Sequence, residues 1–251
     1  MKILGLLRFL VVFILVSLVT IPFLLIQWLL RFLRARKLNR AFAYRTLSWI
    51  SRALMWGNGA RVTVSGLENL PKNRGVLFMS NHQEYSDILL CYGYLRTPMA
   101  MIAKKELGDI PFLATYMRSL ECYMLDRKDP KQAMKLFQKA KQRLTEEHYS
   151  ALIYPEGTRS RGPKNRDFMV GASRIAYLAD TAIVPVTISG SWKAGQYITQ
   201  VGGKKPIDIV IHPMIETKDY PSDQKQALMT KVQTTVESGF TSANDASISK
   251  Q

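Results

Sequence analysis

Residues 75–95 read GVLFMSNHQEYSDILLCYGYL, and the fold turns on how they divide. Gly75 to Ser80 is a run of small and apolar residues with strand character, and a helix is expected from about Tyr85 to Leu95. Between them comes an abrupt polar cluster, Asn81-His82-Gln83-Glu84-Tyr85-Ser86-Asp87, where a buried strand gives way to the helix. Loops at strand ends are where functional groups collect. His82 is one of three histidines, and Asp87 lies five residues on. A helix that begins between them separates the two side chains by one turn of backbone, which can bring carboxylate and imidazole within hydrogen-bond reach. A histidine held in one tautomer by an aspartate is the usual form of a general base. The plainer reading gives Asn81 or Ser86 the helix cap and leaves His82 and Asp87 as polar surface residues.

Outward from this stretch, strand and helix patterns alternate. Strands are expected at 61–65, 75–80, 99–103, 122–125, 151–154, 183–189 and 207–211. Helices are expected at 85–95, 110–119, 170–179 and 222–236. One more begins at Asp129-Pro130, a cap followed by proline at the first helical position, with Ala133, Phe137, Ala140 and Leu144 on one face. The alternation predicts an α/β domain over 61–238, with a mixed, mostly parallel sheet flanked by helices and its functional loops at one edge. The polar residues 239–251 are expected to be a flexible tail.

The N-terminal sixty residues are of another kind. Residues 9–30, FLVVFILVSLVTIPFLLIQWLL, carry no charge. As a helix they extend about 33 Å, enough to cross a bilayer core, and they lack the small-residue cleavage site of a signal peptide. Pro22 favours a kink. The basic run RFLRARKLNR follows at once, which by the positive-inside rule puts the rest of the chain on the cytoplasmic face. Residues 41–57 mix Trp49, Ile50, Leu54, Met55 and Trp56 with Arg45 and Arg52, a composition suited to a helix in the membrane interface. Residues 1–60 therefore either span once and then lie flat, or form a bent helical pair in one leaflet.

The net charge of +16 is concentrated there: ten basic residues precede the first acid, Glu68, and the remaining 25 nearly balance 19 acidic ones. That distribution argues against a nucleic-acid partner, which would want a basic face on the folded domain. Cys91 and Cys122 have no ligand-like spacing and are expected as free thiols, with no zinc site.

A second polar loop, Tyr154-Pro155-Glu156-Gly157-Thr158-Arg159-Ser160-Arg161, follows the apolar run ALIY. Gly157 permits close backbone approach to a ligand, Thr158 and Ser160 offer hydroxyls, and Arg159 and Arg161 offer planar donors suited to a phosphate. NHQEYSD followed by YPEGTRS resembles the glycerolipid acyltransferase superfamily, and most closely its 1-acylglycerol-3-phosphate (lysophosphatidate) acyltransferases. Asn81, His82 and Asp87 match the first motif, Tyr123-Met124-Leu125-Asp126-Arg127 the second, Glu156 to Ser160 the third, and Ile183-Val184-Pro185-Val186 the fourth. Lys104-Lys105 before Ile110-Pro111 looks like the family's Lys-Lys segment.

The resemblance implies a glycerolphosphate-acyltransferase-like fold and an enzyme that acylates lysophosphatidate or a related lysophospholipid. His82 takes the proton of the acceptor hydroxyl, Asp87 orients His82, and the hydroxyl attacks an acyl thioester directly. The implied co-substrate is acyl-CoA or an acyl carrier protein thioester, with no cofactor and no metal. Arg127, Glu156, Gly157, Thr158 and Arg159 are implied for the acceptor site, Lys104 and Lys105 are counted with them, and Val184 and Pro185 are implied to shape the acyl-donor side. The implied partners are membrane lipids, the lysophospholipid acceptor and the thioester donor.

Two positions depart from the pattern. Phe168-Met169-Val170-Gly171 has methionine where the family often has lysine, and Ala114 replaces the usual glycine after Ile-Pro-Phe. Another lyso-lipid acceptor, or a catalytically silent lipid-binding protein of the same fold, are the alternatives; an intact His82 and Asp87 speak against the silent one. His148, at a helix end, and His212, before Pro213, are expected to be structural.

Overall fold

The computed structural model describes residues 2–126, 128–195 and 205–240. Its strands are β1 (Ala60–Ser65), β2 (Leu77–Ser80), β3 (Met99–Lys104), β4 (Tyr123–Leu125), β5 (Ser150–Ile153), β6 (Ile183–Ser189) and β7 (Lys205–Ile211). They form one sheet in the order β1-β7-β6-β2-β5-β3-β4, parallel throughout except for the antiparallel β6–β7 pair. This is the mixed, mostly parallel sheet expected from the sequence.

The helices are α1 (Lys2–Phe32), α2 (Arg36–Gly57), α3 (Ser86–Tyr94), α4 (Pro111–Ser119), α5 (Pro130–Glu146), α6 (Arg174–Ala179), α7 (Trp192–Gly195) and α8 (Lys225–Ser238). Alternate side chains of a strand point to opposite faces. Val76, Phe78, Met101, Val184 and Val186 pack with α2, α3 and α4 on one face. Leu77, Met79, Ala100 and Ile183 pack with α5, α6 and α8 on the other. Because both faces are covered, β2 and β6 are buried at every position and read as unbroken apolar runs.

Asp129 caps α5 as its sequence predicts: Oδ1 accepts from the backbone N–H groups of Lys131 and Gln132 at 3.0 and 2.9 Å, with Pro130 at the first position. The single helix expected over 170–179 is instead a 3-10 turn, Val170–Ser173, followed by α6. The Ser173 hydroxyl donates to the Val170 carbonyl at 2.7 Å, a local bond that competes with regular helix.

α1 runs through Pro22 as one helix and is long and apolar enough to cross a membrane. Ile3, Leu7, Ile14, Leu18, Leu25 and Trp28 on it are exposed. It folds back antiparallel on α2: Phe23 meets Phe42 and Trp49 edge-on, and a Cβ on Gly57 would stand 2.9 Å from Val12 Cγ1. α2 in turn buries Ala43, Leu47, Ile50 and Met55 in the core shared with the sheet, while Trp49 and Trp56 stay exposed. Arg36 and Arg40 pair with Glu121 and Glu147, which fastens the start of α2 to the ends of α4 and α5.

Candidate active site

Parallel strands bring their C-terminal ends to one edge, so the loops after β2 and β5 become neighbours. The polar residues of NHQEYSD hold that arrangement. Asn81 is fully buried; its amide donates to the Ile188 carbonyl and accepts from the Ile188 N–H, both at 2.8 Å, which ties the end of β2 to β6. Gln83 accepts from the Ser191 backbone and hydroxyl and donates to the Pro163 carbonyl. Across the gap, the Ser160 N–H donates to the His82 carbonyl at 2.7 Å and the Arg161 N–H to the Gln83 carbonyl at 3.2 Å.

His82 Nδ1 lies 2.8 Å from Asp87 Oδ2, in a pair whose aspartate has no solvent exposure. The same oxygen accepts from the Glu84 N–H at 2.8 Å, so Asp87 is held from the first turn of α3. With Asp87 accepting, Nδ1 carries the hydrogen and Nε2 is the ring nitrogen left to accept a proton. The imidazole stacks on the Tyr154 ring at 4.1 Å between centroids, and Tyr154 donates its hydroxyl to Cys91 Sγ at 3.6 Å. Burial raises the Tyr154 phenol far above its ordinary value, so the ring under His82 stays neutral. Tyr154 stood in the quoted motif without a role; only the stacking reveals one.

His82 lines a cavity of about 300 Å³ with Tyr85, Lys104, Gly157, Thr158, Arg159 and Arg161 among its walls. An adjoining hollow of about 280 Å³ shares Lys104, Tyr154 and Gly157 and is otherwise lined by apolar residues such as Leu125, Phe137 and Met169, a lining that suits hydrocarbon. Gly157 takes a φ of 70°, which explains glycine at the bend. A larger cleft of about 730 Å³, beside Lys37, Arg74, Arg96 and His148, holds none of the motif residues.

The other expected residues fall in different places. Glu156 is buried and faces backbone: it accepts from the His82 N–H at 2.5 Å and from the Arg166 N–H at 2.7 Å. Burial pushes its carboxyl up to about 7, against the pull of those two donors and of His82. Lys105 is turned to Asp126. Val184 and Pro185 are buried in β6, opposite Phe78 and Met79, and are not among the cavity walls. Arg127 lies outside the described residues. Arg159 pairs with Glu84 and stacks over Tyr85, its guanidinium carbon 3.5 Å from the ring centroid. His212 donates from Nε2 to the Thr187 hydroxyl at 2.8 Å inside the core, whereas His148 is exposed after α5. Among the described residues no group of three or more His, Cys, Asp or Glu side chains is gathered to hold a metal.

The family described as Acyltransferase matches residues 61–189. The chain is 30% identical over 176 residues to a 1-acyl-sn-glycerol-3-phosphate acyltransferase of Borreliella burgdorferi, covering 69% of each chain. It is 30% identical over 173 residues to one of Pseudomonas aeruginosa, covering 68% of this chain and 64% of that one. The aligned stretch thus spans about two thirds of these relatives. In three dimensions it is similar to the 1-acyl-sn-glycerophosphate (LPA) acyltransferase PlsC of Thermotoga maritima, with a TM-score of 0.74 and 25% identity over 95% of this chain and 94% of that one.

Proposed function

The chain belongs to the Acyltransferase family, as an acyltransferase of the 1-acyl-sn-glycerol-3-phosphate acyltransferase type, and from that premise we propose that it moves a fatty acyl group from an acyl thioester to the free hydroxyl of lysophosphatidate, with His82 as general base and Asp87 as its partner. One observation carries the reading: the 2.8 Å contact between His82 Nδ1 and a fully buried carboxylate, on a ring that lines the cavity.

The acceptor hydroxyl gives its proton to His82 Nε2 while its oxygen bonds to the thioester carbonyl carbon. The imidazolium that forms is stabilised by Asp87. The tetrahedral intermediate collapses, the carbon–sulfur bond breaks, and the thiolate leaves with the electron pair and takes the proton from His82. The ester product and a free thiol result, and no enzyme acyl intermediate is needed. Coenzyme A or acyl carrier protein supplies the thioester. Lys104, Thr158, Arg159 and Arg161 are suited to the acceptor's phosphate, since guanidinium and ammonium groups bind phosphate oxygens well.

The acceptor is a membrane lipid, and α1 is a candidate anchor in reach of it. Exposed Ile110 and Phe112 extend the apolar surface from α1 to the start of α4. A transverse α1 would draw α2 into the hydrocarbon with Arg40 and Arg52, which bond to catalytic-layer groups. Charges at bilayer depth are costly, so the hairpin lies in one leaflet, with the catalytic layers on the cytoplasmic face.

The test is a panel of lyso-acceptors offered to the full-length protein in vesicles, with acyl-CoA and with acyl carrier protein as donors. Phosphatidate formed from lysophosphatidate is the expected product. Acylation confined to acceptors without a phosphate would contradict the reading.

A further inference from the structure

Tyr154 is the first residue after β5, and its ring stacks on the imidazole of His82 with the planes 18° apart and the centroids separated by 4.1 Å. The ring is fixed from its far end, where the hydroxyl donates to Cys91 Sγ at 3.6 Å. Cys91 and Asp87 stand four residues apart on α3, a spacing that sets side chains on one face of a helix. One helix face therefore serves the histidine twice. Asp87 meets the edge of the imidazole at Nδ1, and Cys91 secures the ring against which the imidazole lies. Burial keeps the Tyr154 phenol protonated and pushes the Cys91 thiol up to about 12, so neither brings a negative charge to the stack. What the ring presents to His82 is its π face. The same side chain lines both hollows, and a ring that only divided them would act on substrate binding.

We infer that Tyr154 is a positioning residue whose π face stabilises the His82 imidazolium as the acceptor hydroxyl gives up its proton. The inference rests on the general-base role of His82 proposed above. A neutral imidazole gains packing from an aromatic ring, whereas a cation within about 6 Å of the centroid is also attracted by the negative charge of the ring's face. That attraction grows as the proton moves. Only an interaction stronger in the transition state than in the ground state speeds the chemical step, and this one meets the condition. It complements Asp87, which meets the same developing charge from the edge of the imidazole.

The test changes the charge on the π face and leaves the ring in place. Tyr154→Phe is compared with mono-, tri- and pentafluorophenylalanine incorporated at position 154, in the full-length protein in vesicles with lysophosphatidate and an acyl thioester. Fluorine draws electron density off the face, so the attraction for a cation fades along the series. The expected result is a stepwise fall in kcat, by about ten-fold from the phenyl to the pentafluorophenyl ring, with KM for both substrates little changed and melting temperatures close together. A flat kcat across the series, or a change confined to KM, would overturn the inference and leave the ring as a wall between the two hollows. The same series in a His82→Gln background is expected to be flat, because no imidazolium forms there; a stepwise fall in that background would overturn it too. The His82→Gln parent separates this inference from the reading it rests on. Near-normal turnover by that parent refutes the general base, whereas a loss of about two to four orders of magnitude, beside a flat series with His82 present, refutes only the role of Tyr154.

Discussion

Asp87 is fully buried, and its Oδ1 has no hydrogen-bond partner among the described residues. A carboxylate in that position is costly unless a charge offsets it, and the imidazolium of the proposed cycle is that charge. Asp87→Asn keeps the shape and removes the charge, so kcat is expected to fall by about two to four orders of magnitude with KM for both substrates little changed, as measured in steady-state assays. Glu156 makes a different prediction. Its folded value of about 7 lies above the 4.5 of an ordinary glutamate, so the folded protein binds this proton more tightly than the unfolded chain does. The contribution to stability is full below pH 4.5 and is lost as pH rises through about 7. Glu156→Gln removes the titration, so its melting temperature should vary less than that of wild type between those pH values. It also loses one of two backbone bonds, and its melting temperature should be lower than that of wild type at the acid end of that range.

At the scale of elements, Asn81 joins β2 to β6 through both backbone groups of Ile188. Asn81→Ala leaves a buried N–H and carbonyl unpaired, at roughly 1–3 kcal/mol each, and thermal denaturation should show the loss. The helical hairpin is tested by single cysteines at Ile3 and Leu33, near opposite ends of α1, probed with a membrane-impermeant maleimide in sealed vesicles. Labelling of both from the same side is expected for one leaflet; labelling from opposite sides would establish a span. All seven strands among the described residues were legible in the sequence: β2 and β6, buried on both faces, as mainly apolar runs, and β1 and β7, whose burial alternates, as a period-two pattern. Strand order was not, since it depends on long-range pairing such as Val186 with Ile211. The His82–Asp87 contact was legible because it is local. The Glu84–Arg159 pair joins residues 75 apart in sequence and needed the two loops to be seen together. The same is true of Glu156: its motif position suggested a ligand contact, whereas its oxygens face the backbone of His82 and Arg166.

For the whole molecule, the sequence's uneven charge and the fold fit one arrangement. The apolar face of α1 and the basic residues of α2 belong to a hairpin packed on the sheet and its helices through the shared core and the Arg40–Glu147 pair. The cavity around His82 opens at the sheet edge where the two motif loops meet, and its cations suit a lipid head group. In the proposed mechanism, chemistry at that edge depends on the ring nitrogen left free by Asp87. The most direct measurement is the rate of phosphatidate formation from lysophosphatidate and an acyl thioester by His82→Ala in vesicles, beside wild type matched for folding and for membrane-bound amount. A general base predicts a loss of about two to four orders of magnitude; near-normal turnover by the variant would contradict the account.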